Sequence, residues 1–599
     1  MNIIVQIKSA AAATIQSLYG LKVSAGSILI NQTKPEFEGD YTVVLFSFVK
    51  QLRKSPEQLG EEIGRQITAG WPDLFTGYNV IKGFLNLTVA DSYWQGFLSE
   101  QQSGTASTSF GQLPATGKRV MVEYSSPNTN KPLHLGHLRN NFLGYSITEI
   151  LKAAGNEVFS SSVVNDRGIH ICKSMIAWQR FSQGETPQST GMKGDHFVGK
   201  YYVKFNDAYK EEVQALIDKG MSKEEAEKKA PIMEATQQML LDWEAGKPEV
   251  IELWKKMNSW VYEGFDVTYQ TIGTHFDKVY YESNTYLLGK DLVVKGLAEQ
   301  VFYQKEDGSV WINLIEDGLD EKLVRRSDGT SVYITQDIGL AEQKQKEFDI
   351  QESIYVVGDE QNYHFKVLKL ICQKLGLPSA DGIYHLSYGM VELPTGKMKS
   401  REGTVVDADD LVASMVDIAR QKTEELGKVS GFSEEELKEL YDMIGLGALK
   451  FFLLRVDPKK KMLFNPEESI DFHGFTGPFV QYTHARIKSI LRKLDAAAVP
   501  LTSELQVSEA LLAPEKALLV SLEQYPTLIQ EAATEHDPSK IAIYVFNLAK
   551  LFNTFYQELS ILNAESEEKK LFRAKIAAFT GETIQKAMAL LGIKVPERM

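Results

Sequence analysis

Residues 120–140, VMVEYSSPNTNKPLHLGHLRN, decide how this chain folds. Met121 to Tyr124 are apolar or β-favouring apart from Glu123, which predicts a strand buried on both faces, as in a parallel sheet. Residues 125–132 carry two prolines, two asparagines and two serines, and so break regular structure. Helix resumes near Leu138, because Leu143, Ile147, Ile150 and Leu151 recur at helical spacing. A strand that feeds a helix through such a loop leaves free N–H groups and the positive dipole end at the strand's carboxyl edge. Phosphates bind there in α/β sheets. His134 and His137 share one side of the helix start, and Gly136 between them has no Cβ to keep a flat ring away. The same histidines could simply satisfy a helix cap. A zinc pair fits less well, since no cysteine or third histidine lies nearby to complete a tetrahedral set. Glu123 within its apolar strand requires a partner, because an ionised group buried alone is costly.

At 599 residues the chain exceeds one hydrophobic core and predicts three to five domains. Two cysteines, Cys172 and Cys372, are too few for a disulfide framework or a four-cysteine zinc site, and a reducing, cytoplasmic setting is the default. No basic leader precedes an apolar block, and no run reaches the about 18 apolar residues of a membrane span. The net charge of −14 argues against a nucleic-acid binder unless a local basic track does the holding.

Outward from the central stretch, residues 1–103 read as helices on a small sheet, with an amphipathic opening helix and the strand-like run 79–89, NVIKGFLNLTV. Residues 104–118 are rich in small, turn-forming types and read as a linker. A second strand follows in EVFSSSVVND, ending at Asp166 and Gly168. Residues from about 182 to 275 are charged helical sequence, an insertion between two halves of the sheet. SIYVVG and YGMVEL resume the strands, and Tyr333 and Asp337 sit four apart across a strand-to-helix step. From 405 onward the pattern is helical, with a core stripe of Ile541, Tyr544, Leu548, Leu551 and Phe555.

Far downstream of His-Leu-Gly-His stands the lysine-rich GKMKSREG at 396–403. Together they resemble the HIGH and KMSKS signatures of class I aminoacyl-tRNA synthetases. SDGTSVYITQDIG, YVVGDEQNYHF, TGPFVQYTHARI and the terminal LGIKVPERM look like the arginyl-tRNA synthetase family, nearly end to end. The resemblance implies a doubly wound, Rossmann-like parallel-sheet domain over 119–404, an α+β tRNA-binding domain over 1–103, a helical connection over 405–470 and an all-α anticodon-binding bundle over 471–599. It implies ATP and L-arginine as substrates, Mg²⁺ as the ATP counter-ion without a dedicated metal site, tRNA(Arg) as partner, and a monomer. His134, Gly136, His137, Lys397, Met398, Ser400 and Arg401 then fall at the ATP. Glu123, Asn128, Tyr333, Asp337, Gln361 and His364 fall at the arginine, and Asn86, Tyr482, Tyr556 and Met599 at the tRNA. The pattern departs at Ser400, where the common signature has its second lysine. Many arginyl enzymes share this gap and carry a lysine ahead of the HIGH motif, here Lys131. A nucleotidyltransferase with an HxGH motif, or an RNA-binding relative without catalysis, are the rival readings; the first lacks a use for the first module and the helical final third, the second for the intact HLGH and the nearly intact lysine loop.

Overall fold

A computed structural model describes the chain except for residues 1, 35, 102–108, 379, 393–405, 426, 428–430, 498, 500 and 502–508. The opening helix Ile3–Tyr19 packs on a four-stranded antiparallel sheet in the order Leu29–Gln32, Tyr41–Val44, Phe84–Val89, Phe75–Ile81. The run 79–89 is therefore two strands rather than one. Lys82 and Gly83 both take positive φ, 52° and 80°, which is the geometry of a tight hairpin turn whose twist matches its strands.

This first module is seated on the C-terminal helices. The Ile3 amide and the Tyr93 hydroxyl both reach Glu523, Lys516 lies 2.8 Å from Asp40, and the Phe97 ring packs 5.9 Å from that of Phe579. The described part of the expected linker is also fastened: the Leu113 and Thr116 amides donate to Ala153 and Gly155 carbonyls at 2.7 and 2.9 Å. Composition signalled a spacer; apolar and hydrogen-bonded contacts with distant sequence convert it into a fixed strap.

Five parallel strands form the central sheet in the order Ile383–Tyr388, Glu352–Gly358, Arg119–Glu123, Glu157–Val164, Lys278–Tyr281. In chain order this is 5-4-1-2-3, so the winding reverses between Arg119–Glu123 and Glu352–Gly358. A doubly wound sheet opens a crevice at such a reversal, beyond the carboxyl ends of the strands. Helix Leu135–Ala153 starts there, three residues earlier than its apolar spacing predicts. Between the second and third strands the charged sequence folds as helices, chiefly Gly194–Asp218, Pro231–Glu244 and Pro248–Ile272.

A three-stranded antiparallel sheet, Lys322–Arg325, Val310–Ile312 and Tyr303–Gln304, follows the third strand, and its Phe302, Val310, Leu314 and Val324 share one apolar cluster with Tyr355, Leu368, Ile371 and Ile383 of the central sheet and its helix. Its strands are too short to show a period in sequence. YGMVEL likewise divides, with Val391–Glu392 pairing in parallel with Met462–Leu463 and bringing the helical connection back to the sheet. The chain ends in the helices Gly477–Ala496, Ala513–Glu523, Tyr525–Glu535, Ser539–Glu558 and Glu567–Leu590. Among the described residues no helix is long and apolar enough to cross a membrane.

Candidate active site

The first strand ends at Glu123, and Ser125 just beyond it holds a left-handed φ of 57°. A non-glycine residue keeps that conformation only where its surroundings fix it. Here the Ser125 amide donates to Asn140 Oδ1 at 2.6 Å, and its hydroxyl meets Asn141 Nδ2 at 3.0 Å and the Tyr269 hydroxyl at 2.8 Å. Asn140 also donates to the Val356 carbonyl at 2.7 Å, across the reversal of the sheet. Arg139 on the same helix is buried and donates to the carbonyls of Gly389 and Lys460 at 2.7 and 2.9 Å. The start of the helix is thus held from the sheet side and from the returning connection.

His134 caps this helix. Its Nδ1 accepts from the Gly136 amide, and His137 Nδ1 accepts from the His134 amide, each at 3.1 Å. An Nδ1 that accepts carries no proton, so both rings present a protonated Nε2 as a hydrogen-bond donor. Burial, with the Lys131 ammonium nearby, pushes His134 down to about 3 and His137 well below the ordinary histidine range. Both imidazoles are neutral donors at neutral pH. The ring centroids lie 3.9 Å apart with the planes tilted by 44°, and a Cβ at position 136 would come within 3.0 Å of the His134 ring, so glycine permits the close approach. The local capping expected from sequence and the donor pair are one arrangement. Lys131, half-buried, lines a cavity of about 220 Å³ with His134, His196 and Asp407, and burial lowers its ammonium. Lys397, Met398, Ser400 and Arg401 lie outside the described residues.

The expected arginine contacts divide into two groups. Glu123 is buried against Lys344, itself fully buried, and the two form an ion pair. Burial works against a charged Lys344, but Glu123 beside it holds its pKa above the ordinary lysine value. Glu123, expected at the arginine, thus already meets a cation of this chain through one carboxylate oxygen. Asp337, 42% exposed in its side chain, meets His364 Nε2 at 2.7 Å. Tyr333 is 75% exposed at the first position of helix Tyr333–Phe348, one turn before Asp337. No strand precedes it directly: the Arg325–Ser331 bridge closes a turn, and Tyr333 and Asp337 both sit on the helix. Gln361 is exposed at the end of the short turn Asp359–Gln361 that leads to His364. Asn128 is also exposed, with its backbone bridged to Asn165 at the end of the second strand.

Tyr333 borders a cleft of about 610 Å³ whose walls include Arg167 and Glu282. Glu282 is raised to about 7 by burial and by the nearby Asp166 and Asp337 carboxylates, with Arg167 opposing. Asp166 is buried and receives the Ser283 amide at 2.8 Å and the Tyr262 hydroxyl at 2.8 Å. Sequence reading missed Glu282 and Lys344. Lys344 carried one signal, a lysine on the apolar face of a helix, which requires a buried anion somewhere in the chain.

At the other end of the molecule, Tyr482, Tyr556 and Met599 come together in one pocket of about 200 Å³ with Arg486, Arg492 and Arg598. The Arg486 guanidinium lies 4.9 Å from the Tyr482 ring centre and 5.9 Å from that of Tyr556. Stacking rings beside clustered cations form a local basic site on an acidic chain. Asn86, in contrast, is 1% exposed in mid-strand, accepts from Thr42 at 2.6 Å and donates to Asn79 at 2.9 Å. The side chain expected at the tRNA lies here within the sheet's own polar network.

Residues 105–465 match the family model of tRNA synthetases class I (R), catalytic domain; residues 480–599 match the DALR anticodon binding domain, and residues 5–89 the arginyl tRNA synthetase N terminal domain. The arginine–tRNA ligase of Amoebophilus asiaticus is 51% identical over 600 residues, covering 100% of both chains, and that of Flavobacterium psychrophilum is 53% identical over 596 residues, covering 98% of each. Among solved structures, the Thermus thermophilus arginyl-tRNA synthetase superposes with a TM-score of 0.77 at 24% identity over 99% of both chains. The Plasmodium falciparum enzyme does so at 0.75 and 17%, over 100% of both. At those identities the structures speak for the fold alone. A catalytic-domain match across more than half of the chain, beside relatives that share half of its residues from end to end, makes this chain a member of the arginyl-tRNA synthetase family.

Proposed function

We propose that the chain joins L-arginine to tRNA(Arg) in two steps. The arginine carboxylate attacks the α-phosphorus of ATP, giving arginyl-adenylate and pyrophosphate; the terminal adenosine 2′-hydroxyl of the tRNA then takes the arginyl group and releases AMP. Covalent help from the protein is not needed. What the reaction requires is in-line alignment and donors for charge that builds on the phosphate oxygens. The observation that carries the reading is the imidazole pair at the helix start, each ring fixed by a backbone amide so that Nε2–H is the free donor. Lys397, Met398, Ser400 and Arg401 join this site on the family resemblance, with Lys131 supplying a further cation. Mg²⁺ arrives with the triphosphate. Tyr482, Tyr556 and Met599 stack on or pack against anticodon bases, and the chain works as a cytoplasmic monomer.

Charging of total tRNA with each amino acid in turn tests the assignment. Arginine alone should be esterified; charging with another amino acid, or with none, overturns it.

Two further outcomes follow for the amino-acid pocket. Asp337→Asn should raise the arginine KM roughly tenfold while leaving that for ATP unchanged. The effect stays near ~1.4 kcal/mol because the carboxylate is partly exposed and screened. An unchanged arginine KM would remove Asp337 from the pocket. Glu282 makes the same pocket pH-dependent. Below pH 7 its carboxyl is largely neutral and above pH 7 it is a carboxylate, whereas the guanidinium stays charged throughout. The arginine KM should therefore fall about fivefold from pH 6 to pH 8, and Glu282→Gln should flatten the profile. A slope that survives this substitution assigns the titration to another group.

A further inference from the structure

Beside the His134 loop lies a charged cluster, one member of which, His196, lines the Lys131 cavity. Lys193 precedes helix Gly194–Asp218, and Asp409 sits in the first turn of helix Ala408–Glu425. Asp409 Oδ2 meets Lys193 Nζ at 2.6 Å and His196 Nε2 at 2.9 Å, and Oδ1 accepts from the Thr268 hydroxyl at 2.9 Å. Lys193 Nζ also lies 3.1 Å from Asp195, which is fully buried. Asp195, His196 and Asp409 have the spacing of a metal-binding group, but the lysine ammonium already stands between the two carboxylates where a cation would sit.

The cluster has a mechanical consequence. Asp407 Oδ1 accepts from the Asp409 amide at 2.8 Å, and residues 406–408 pair with the loop carrying the first histidine. His134 and Asp407 form an antiparallel bridge, the Leu135 amide donates to the Val406 carbonyl at 3.2 Å, and the Ala408 amide donates to the Leu133 carbonyl at 3.0 Å. The insertion helix closes on the same loop, since a Cβ at Gly199 would come within 2.9 Å of Pro132. Asp409 is the point at which the insertion grips the segment that braces His134. The His196 and Lys193 hydrogen bonds outweigh burial and hold its carboxyl well below the ordinary range, so the grip stays charged at any working pH.

We infer that Asp409 is a positioning residue for adenylate formation: clamped by Lys193 and His196, it fixes residues 406–408 and through their backbone bridge the His134 imidazole. This rests on the reading that His134 acts in adenylate formation. An imidazole displaced by a fraction of an ångström loses its alignment with the phosphate without losing the substrate, so the effect belongs in kcat.

The test is single-turnover adenylate formation by the full-length enzyme with saturating tRNA. Asp409→Ala should slow the step about tenfold with the KM values for arginine and ATP within about twofold of the parent, and Asp409→Asn, which keeps an acceptor oxygen for Lys193, should recover most of the rate. In a His134→Ala background Asp409→Ala should add less than about twofold, because two residues acting through one group are not additive. Full additivity, or an unchanged rate in Asp409→Ala, overturns the inference. If His134→Ala by itself leaves the rate intact, it is the role of His134 that fails. Loss of folded protein in both Asp409→Ala and Lys193→Gln also overturns it, since the cluster would then belong to the folding core.

Discussion

Replacing Lys344 by methionine should destabilise the catalytic sheet by about 3–5 kcal/mol, the usual consequence of removing one partner from a buried ion pair. Methionine fills nearly the same volume, so little of this is cavity; the penalty is the Glu123 carboxylate left without its cation. Lys344 is fully buried on the inner face of helix Tyr333–Phe348, with the Tyr355 ring 4.5 Å from its ammonium and Glu123 paired to it. Pairing the change with Glu123→Gln should restore most of the stability, because a neutral amide opposite a thioether leaves no buried ion. A chain of several domains does not unfold in one step, so the readout is local. Amide exchange in Arg119–Glu123 should quicken in Lys344→Met and slow again in the double variant. A single variant with parental exchange would mean that the carboxylate finds another partner or a proton at small cost.

That pair marks the border of what the sequence discloses. The central strand, its loop and the following helix are legible because each carries a local signal: an apolar run, prolines with asparagines, and leucines and isoleucines at helical spacing. The two histidines are legible as a pair but not as a tautomer, which depends on the Gly136 and His134 amides reaching their Nδ1 atoms. Glu123 announces a need for a partner without naming it, since Lys344 lies 221 residues away. Asn86 and the Lys82-Gly83 turn show the opposite failure, a continuous β pattern that conceals a hairpin because lysine-glycine is a weaker turn signal than asparagine-glycine. The strap at Leu113 and Thr116 reads as a spacer because composition reports what a segment can do alone, whereas the Ala153 and Gly155 carbonyls decide what it does. Tyr333 and Asp337 read in sequence as straddling a strand-to-helix step, whereas the two occupy successive turns of one helix.

Lys131→Ala should slow adenylate formation roughly 10²-fold, about 2.7 kcal/mol in the transition state, with little change in the arginine KM. The sequence motivates it through an absence, since Ser400 stands where a second loop lysine would balance the departing pyrophosphate. Geometry adds what the sequence lacks. Lys131 borders the same cavity as His134, and burial already weakens its hold on the proton. The Gly199 contact with Pro132 braces the backbone next to it. A flexible four-carbon stem anchored at that point can place an ammonium on a phosphate oxygen, and a cation aimed at charge that exists only while pyrophosphate leaves accelerates the step without tightening the ground state. A poorly solvated ammonium gains more from that oxyanion than one in bulk water, because few waters must be shed as the contact forms. Lys399→Ala, one position ahead of the family's second lysine, should cost much less. Single-turnover adenylate formation on the two variants ranks them directly: if Lys399→Ala proves the slower, the second charge comes from the 396–403 loop and Lys131 serves only to shape the entrance to the cavity.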